Sequence, residues 1–324
     1  MVSQHPRLSR RQLLVTGAAA AATAGMGVPA ARAQTVVEGR DLRKDKRPVL
    51  YPDGPKFGCY DPYGDFTDDR RVATEHLFLP WEDVDLAGLP EADAYALERN
   101  RKILVTIEPW SWALDWNVSQ GQLRDLIISG QRDANLRAIL SVLQGFQSPI
   151  TIRWAQEMDN PFIRFPWSKW APEDYIAAFR RVSAIVREML PGAQMMWSPR
   201  GEKDLQDYYP GDEHLDLVGL TVLGLERYDE IEYGATRSFA ESVQQGYELT
   251  VDYGKPIWVA ELAYEGGLDY VRDWVMEADL NYPEYPELKE VVYFNDKEVW
   301  EWPYGLGLPD WRVIRDRPSY PNRR

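Results

Sequence analysis

Two glutamates carry the chemistry this sequence is equipped to do. The stretch Pro149-Ile-Thr-Ile-Arg-Trp-Ala-Gln-Glu157-Met-Asp-Asn160 reads as a buried strand that releases Glu157 at its C-terminal end. Lys255-Pro-Ile-Trp-Val-Ala-Glu261 reads as a second strand, ending on Glu261. Breaking a glycosidic bond requires one carboxylic acid to protonate the leaving oxygen and one carboxylate to attack the anomeric carbon or activate water there. Two strands that each deliver a carboxylate to one place suit that work. The alternative at each position is a surface ion pair that closes a strand.

Such a pair needs a scaffold, and the hydrophobic pattern supplies one. Apolar runs at 56–60, 75–79, 102–107, 149–154, 193–197, 215–222, 256–260 and 290–294 alternate with helical patterns at βα spacing. The helices are clearest at 133–143, 173–190, 238–252 and 267–278; Asp133 is placed as an N-cap, Pro172 starts a helix and Pro191-Gly192 stops it. Strands without clean alternation belong to a parallel sheet buried on both faces. Eight of them predict a single-domain α/β fold, a (β/α)8 TIM barrel over residues 51–324. An open doubly wound sheet is the other candidate, but it would carry a Gly-rich first turn. Residues 34–50 are expected to wrap the barrel as a leader, and the tail after Pro303 either packs back on the fold or trails from it.

In this architecture the site is built at the C-terminal ends of the strands. The polar residues there are Asp61 after strand one, Glu82 and Asp83 after strand two, Glu108 after three, Glu157 after four, Glu261 after seven, and Asn295 and Asp296 after eight. Strand six is expected to end without an acid. The chain holds 13 Trp and 18 Tyr, and clusters such as Trp110-Ser-Trp112, Trp167-Ser-Lys-Trp170 and Trp300-Glu-Trp302 fall in loop-like stretches. Aromatic faces pack on the apolar faces of sugar rings. Trp110, Trp300 and Trp302 are therefore candidate sugar platforms, and Tyr60, Asp61, Asn295 and Asp296 candidate hydroxyl contacts. Each has an alternative in loop packing or capping.

The remaining features bound the setting. Ser9-Arg10-Arg11-Gln12-Leu13-Leu14, a small-residue apolar run and Ala31-Arg32-Ala33 form a twin-arginine signal with cleavage near Ala33. The expectation is passage through the twin-arginine translocation machinery to the periplasm or the medium, with no membrane anchor. Loss of residues 1–33 removes Arg7, Arg10, Arg11 and Arg32 and no acid, so the formal charge of −14 deepens by four. That charge disfavours nucleic acid and anionic lipid as partners. The single cysteine, Cys59, is expected to be a buried structural thiol. The histidines show no metal-ligand spacing and no Gly-rich phosphate loop is visible, so no metal or organic cofactor is expected.

At these residues the sequence resembles glycoside hydrolase family 26, the β-mannanases and related β-glucanases, over roughly residues 56–302. The family's Arg-x-x-His-Glu-Met-Asn is matched by Arg153-Trp-Ala-Gln156-Glu157-Met158-Asp159, and its Lys-Pro-(apolar)3-x-Glu by Lys255-Pro256-Ile-Trp-Val-Ala-Glu261. Phe57-Gly-Cys-Tyr-Asp61, Val105-Thr-Ile-Glu-Pro-Trp110, Trp197-Ser-Pro199 and Tyr208-Tyr-Pro-Gly-Asp-Glu-His-Leu-Asp-Leu-Val-Gly219 match as well. The resemblance implies a retaining (β/α)8 hydrolase with Glu157 as acid/base and Glu261 as nucleophile. Arg153 either orients one of these carboxylates or pairs with Glu108, which itself either pairs or binds sugar hydroxyls. Two positions depart from the family. Gln156 stands where it has histidine, and donates without titrating. Leu223 stands where it has the tyrosine that bonds the nucleophile. Both departures keep the glutamates and leave room for a substrate other than mannan.

The function expected is a retaining endo-β-glycanase acting on a β-mannan or β-glucan by double displacement. The alternatives are an exopolysaccharide-trimming hydrolase or transglycosylase using the same residues, and a non-catalytic polysaccharide-binding barrel.

Overall fold

Eight parallel strands close on themselves in the computed structural model, which describes residues 35–113 and 115–315. They are β1 (Lys56–Tyr60), β2 (Val72–Pro80), β3 (Lys102–Glu108), β4 (Ile150–Trp154), β5 (Gln194–Trp197), β6 (Leu217–Leu225), β7 (Ile257–Glu265) and β8 (Leu288–Phe294), each paired with its neighbours and β8 with β1. The twin-arginine signal lies outside the described residues.

The helices among the described residues are α1 (Leu89–Glu98), α2 (Gln120–Ile128), α3 (Asp133–Leu143), α4 (Pro172–Met189), α5 (Glu226–Glu232), α6 (Phe239–Thr250) and α7 (Leu268–Glu277). Pro172 occupies the first turn of α4, where its missing N–H costs nothing. Ser238 and Glu241 form a reciprocal capping box at α6. Asp133 is not the N-cap of α3. Arg132 holds that position, and the Asp133 carboxylate pairs with Arg181 of α4 at 2.6 Å. The crossover from β1 to β2 carries no α-helix, because residues 61–71 are short and rich in Asp, Pro and Gly. Between β5 and β6, Pro199 and Pro210-Gly211 leave only 3-10 turns at Leu205–Tyr208 and Asp212–His214.

The core is layered along the barrel. Leu104, Met196, Leu217, Trp258, Ala260 and Val292 fill the interior, and a larger apolar layer lies between strands and helices. Gly219 is required there: a Cβ would stand 2.4 Å from the Met196 sulfur. Cys59 is fully buried, and burial pushes its thiol well above its ordinary value.

β6 runs three residues and β7 five residues further than their apolar cores suggest. Glu261 is therefore inside β7 rather than at its end, and an irregularity between Leu220 and Thr221 sets Thr221 opposite it. β6 is followed directly by an acid, Glu226, whose carboxylate accepts from the Gly267 N–H at 2.6 Å.

Leader and tail both pack on the barrel. Lys46 is fully buried and donates to the carbonyls of Tyr264 at 2.7 Å and Asp310 at 2.9 Å. Asp45 bridges antiparallel to Ile314, and Trp311 and Val313 are buried. Of the two expectations for the tail, it packs back.

Candidate active site

The site grows out of β4. Arg153 stands in register with Thr106 of β3 and Met196 of β5 and is fully buried. Its Nη1 donates to Glu261 Oε1 at 2.6 Å and its Nε to Ser198 Oγ at 2.8 Å, while Ser198 Oγ donates to the Gly219 carbonyl at 2.8 Å. Arg153 thus holds Glu261, not Glu108. After Trp154 the chain leaves the strand through two left-handed residues, Ala155 at φ 45° and Glu157 at φ 55°. Each costs on the order of 1–3 kcal/mol without a glycine. The turn is held from outside: Glu157 N–H donates to the Ser198 carbonyl at 2.8 Å, and Asp159 accepts the N–H groups of Arg200, Gly201 and Glu202 at 2.6–3.0 Å. Glu157 receives the Asn160 amide at 2.8 Å. Both glutamates are buried, Glu157 with 3% of its surface exposed and Glu261 with 9%.

Their electrostatics differ. Burial raises the Glu157 carboxyl, but Arg164, Arg200, the Asn160 amide and Arg153 together bring it below the ordinary glutamate value. Burial raises Glu261 too, and there it prevails over Arg153, with the nearby Glu157 charge adding to the rise. Of the two, Glu157 is held toward its ionised form and Glu261 toward its protonated form.

Beside the pair, Glu108 gathers donors. Its Oε1 accepts from Gln156 Nε2 at 2.8 Å, and its Oε2 accepts the indole N–H groups of Trp110 at 3.0 Å and Trp112 at 2.8 Å. Trp167 is buried and donates to the Gln156 carbonyl at 2.6 Å, and Trp170 is buried as well, so this cluster forms core and not cleft. Gln156 Oε1, Arg153 Nη2 and Thr221 Oγ1 are buried without a hydrogen-bond partner. Leu223 packs with Leu225, Tyr228, Ala263 and Trp311. The hydroxyl in register with Glu261 is that of Thr221. Arg200, Thr221, Val222, Leu223, Tyr233 and Gln245 help line a hollow of ≈ 360 Å³.

Several of the expected sugar contacts also have partners within the protein. Asn295 donates to Asp61 at 2.7 Å and Asp65 at 3.0 Å and accepts the Val313 N–H at 2.8 Å, so its amide knits the first loop to the tail. Asp61 also accepts the Phe66 N–H at 2.7 Å. Asp296 accepts from the Tyr63 hydroxyl at 2.8 Å, and burial raises its carboxyl. Tyr60 stacks on Phe294 at 5.3 Å, and Trp302 packs edge-on against Tyr228 and Trp311. Trp110 and Trp300 stack on each other at 6.3 Å, with Trp300 44% exposed. Sequence reasoning missed Arg164, Arg200 and Glu298. Ser198 and Asn160 lie inside quoted motifs, but nothing in their spacing assigned them a part. Among the described residues no cluster of three or more His, Cys, Asp or Glu is placed to hold a metal.

The modular endo-β-1,4-mannanase of Cellulomonas fimi, described with the glycoside hydrolase family 26 mannanases, superposes with a TM-score of 0.59 at 16% identity, over 75% of this chain and 65% of that one. The catalytic domain of the family 26 endo-β-1,4-mannanase of Bacillus sp. JAMB-750 gives 0.56 at 13% identity, over 74% and 77%. The chain shares its fold with these family 26 mannanases. By sequence, a β-1,3-xylanase of Alcaligenes sp. is 32% identical over 146 residues, and one of Vibrio sp. 33% over 146. Each match covers 43% of this chain, which spans 30% of the length of those relatives. No family model matches the chain. Against the family 26 pattern, the arginine and both glutamates of the motifs come together, while Gln156 and Leu223 keep their departures.

Proposed function

We propose that this chain is a retaining endo-β-glycanase of the family 26 type, with Glu157 as acid/base and Glu261 as nucleophile. The observation that carries this reading is the buried Arg153–Glu261 pair at 2.6 Å, joined through Ser198 to the strained turn that presents Glu157. Glu261 attacks the anomeric carbon while Glu157 protonates the leaving oxygen; Glu157, now ionised, then takes a proton from water as that water resolves the glycosyl-enzyme. Arg153 balances the charge of Glu261 before attack and after release. Sugar hydroxyls find partners in Gln156 Oε1 and in the Glu108 carboxylate.

β-1,3-Xylan joins the mannan and glucan suggested above as a substrate to try, supported by the two β-1,3-xylanases that are similar over 146 residues. Reducing-end release is to be measured on β-1,3-xylan, β-1,4-mannan, β-1,3-glucan and mixed-linkage glucan. We expect internal cleavage of at least one, with the anomeric configuration retained. Glu157→Gln and Glu261→Gln should each lose at least about 10³-fold in kcat while circular dichroism stays that of the wild type. Near-wild-type cleavage by either variant would remove the assignment.

A further inference from the structure

The segment after β8 crosses the mouth of the barrel. β4 and β8 stand four places apart in a ring of eight, on opposite sides. Yet Arg164, which follows β4, donates through Nη2 to Glu298, which follows β8, at 2.6 Å. Glu298 also takes the N–H groups of Val299 at 2.8 Å and Trp300 at 3.3 Å, so it shapes the crossing segment around itself. Beyond it, Trp300 stacks on Trp110 and the Tyr304 hydroxyl bonds Glu232. Arg164 keeps 21% of its side chain open toward solvent, while its Nε is buried without a partner. Its charge acts on both Glu157 and Glu261.

We propose that Arg164 is a positioning residue for the proton of this site: pinned by Glu298 it keeps Glu157 the carboxylate partner in the empty enzyme, and sugar entering beneath the crossing segment must part it from Glu157 before Glu157 can donate. The inference rests on the reading of Glu157 as acid/base. It also resolves a mismatch, since double displacement needs the proton on Glu157 and it is Glu261 that is held toward its protonated form.

The groups that act on Glu157 come from three strands and their loops. Arg153 from β4 is tied to Glu261 and Ser198, and Arg200 from the loop after β5 is tied to Glu202. Glu261 from β7 is the other carboxylate, and the Asn160 amide is neutral. Among these cations, only Arg164 is paired to a segment that spans the entrance. A chain lying between the two glutamates needs the space that this segment crosses, so entry and separation of Arg164 are one event. Withdrawing a cation from beside a carboxylate raises its pKa by about 1–3 units. One proton then passes from Glu261 to Glu157, leaving Glu261 ionised against Arg153. The charge of the pair is unchanged; only the address of the proton differs.

The test is a carboxyl titration of the full chain labelled with ¹³C at glutamate Cδ, with Glu157 assigned through Glu157→Gln. In the wild type Glu157 should titrate below the ordinary glutamate value. In Arg164→Gln, which keeps a donor for Glu298 and loses the charge, it should rise by about 1–3 units. In Arg164→Lys, which keeps the charge, it should stay low. On the substrate that is cleaved, the alkaline limb of kcat should lie above that of kcat/KM in the wild type and coincide with it in Arg164→Gln. An unmoved Glu157 in Arg164→Gln, or a raised one in Arg164→Lys, overturns the proposal. Should Glu157→Gln cleave normally, the catalytic assignment falls instead, whatever the titration shows.

Discussion

At the scale of single residues, Glu108 repays attention because three donors converge on one carboxylate: Gln156, Trp110 and Trp112. Glu108→Gln replaces an acceptor with an amide N–H2 that faces these donors, and a hydrogen bond to a charged group contributes about 1.5–3 kcal/mol. The expected result is a KM raised about tenfold or more with the pH profile unmoved, read by steady-state kinetics across pH. The positions legible in sequence are the strand-borne glutamates, and their separate roles come only from the resemblance. Arg153, in the stretch that resembles the family 26 pattern, is expected either to orient one of the two carboxylates or to pair with Glu108, and it holds Glu261. For Asn295 the packing alternative is the one the hydrogen bonds display: its amide meets Asp61, Asp65 and Val313, and the last of these arrives from a tail whose return no local pattern announces. Arg164 and Glu298 were invisible for the same reason: 134 positions separate them.

At the scale of elements, all eight strands were legible because a parallel sheet covered on both faces leaves uninterrupted apolar runs. Their ends were not. β6 and β7 continue to Leu225 and Glu265 because the tail and leader supply partners there: the Asp310 N–H bonds the Glu265 carboxylate, and Lys46 caps the Tyr264 carbonyl. Helices α1 and α2 are weakly amphipathic and α5 has only 7 residues, so none of the three stands out in the sequence. The tail is an integral element, and Trp311, fully buried against Trp302, is its anchor. Trp311→Ala should cost about 3–5 kcal/mol in chemical denaturation. It should also loosen the segment that carries Glu298 and Trp300, seen as faster amide exchange at residues 298–302.

At the scale of the whole molecule, two buried groups set opposing pH dependences. Burial raises the Asp279 carboxyl to about 7 from 3.8, and lowers the Lys46 ammonium to about 7 from 10.5. For Asp279 the folded state holds the proton more tightly, so its contribution is complete below about pH 4 and declines as pH rises to 7. For Lys46 the unfolded state holds it more tightly, so stability grows from pH 7 to about 10 as the cost of the buried charge is relieved. Thermal denaturation should show Asp279→Asn removing a decline on the acid side of neutrality and Lys46→Met removing a rise on the alkaline side. An unchanged slope in either variant refutes that attribution. The leader and tail that Lys46 locks together carry a last implication. Asp45 and Ile314 are antiparallel partners, and the Arg315 N–H reaches the Lys44 carbonyl at 3.2 Å, so residues 44 and 315 are the two arms of a hairpin that lacks its turn. A two-residue Asn-Gly linker from Arg315 to Lys44 would supply that turn at small closure entropy, in exchange for the leader residues before Lys44, the buried Leu42 among them. The barrel could then be cyclised, or reopened at a surface loop such as the one at Gly234, giving a circular permutant with its new ends far along the chain from the seam.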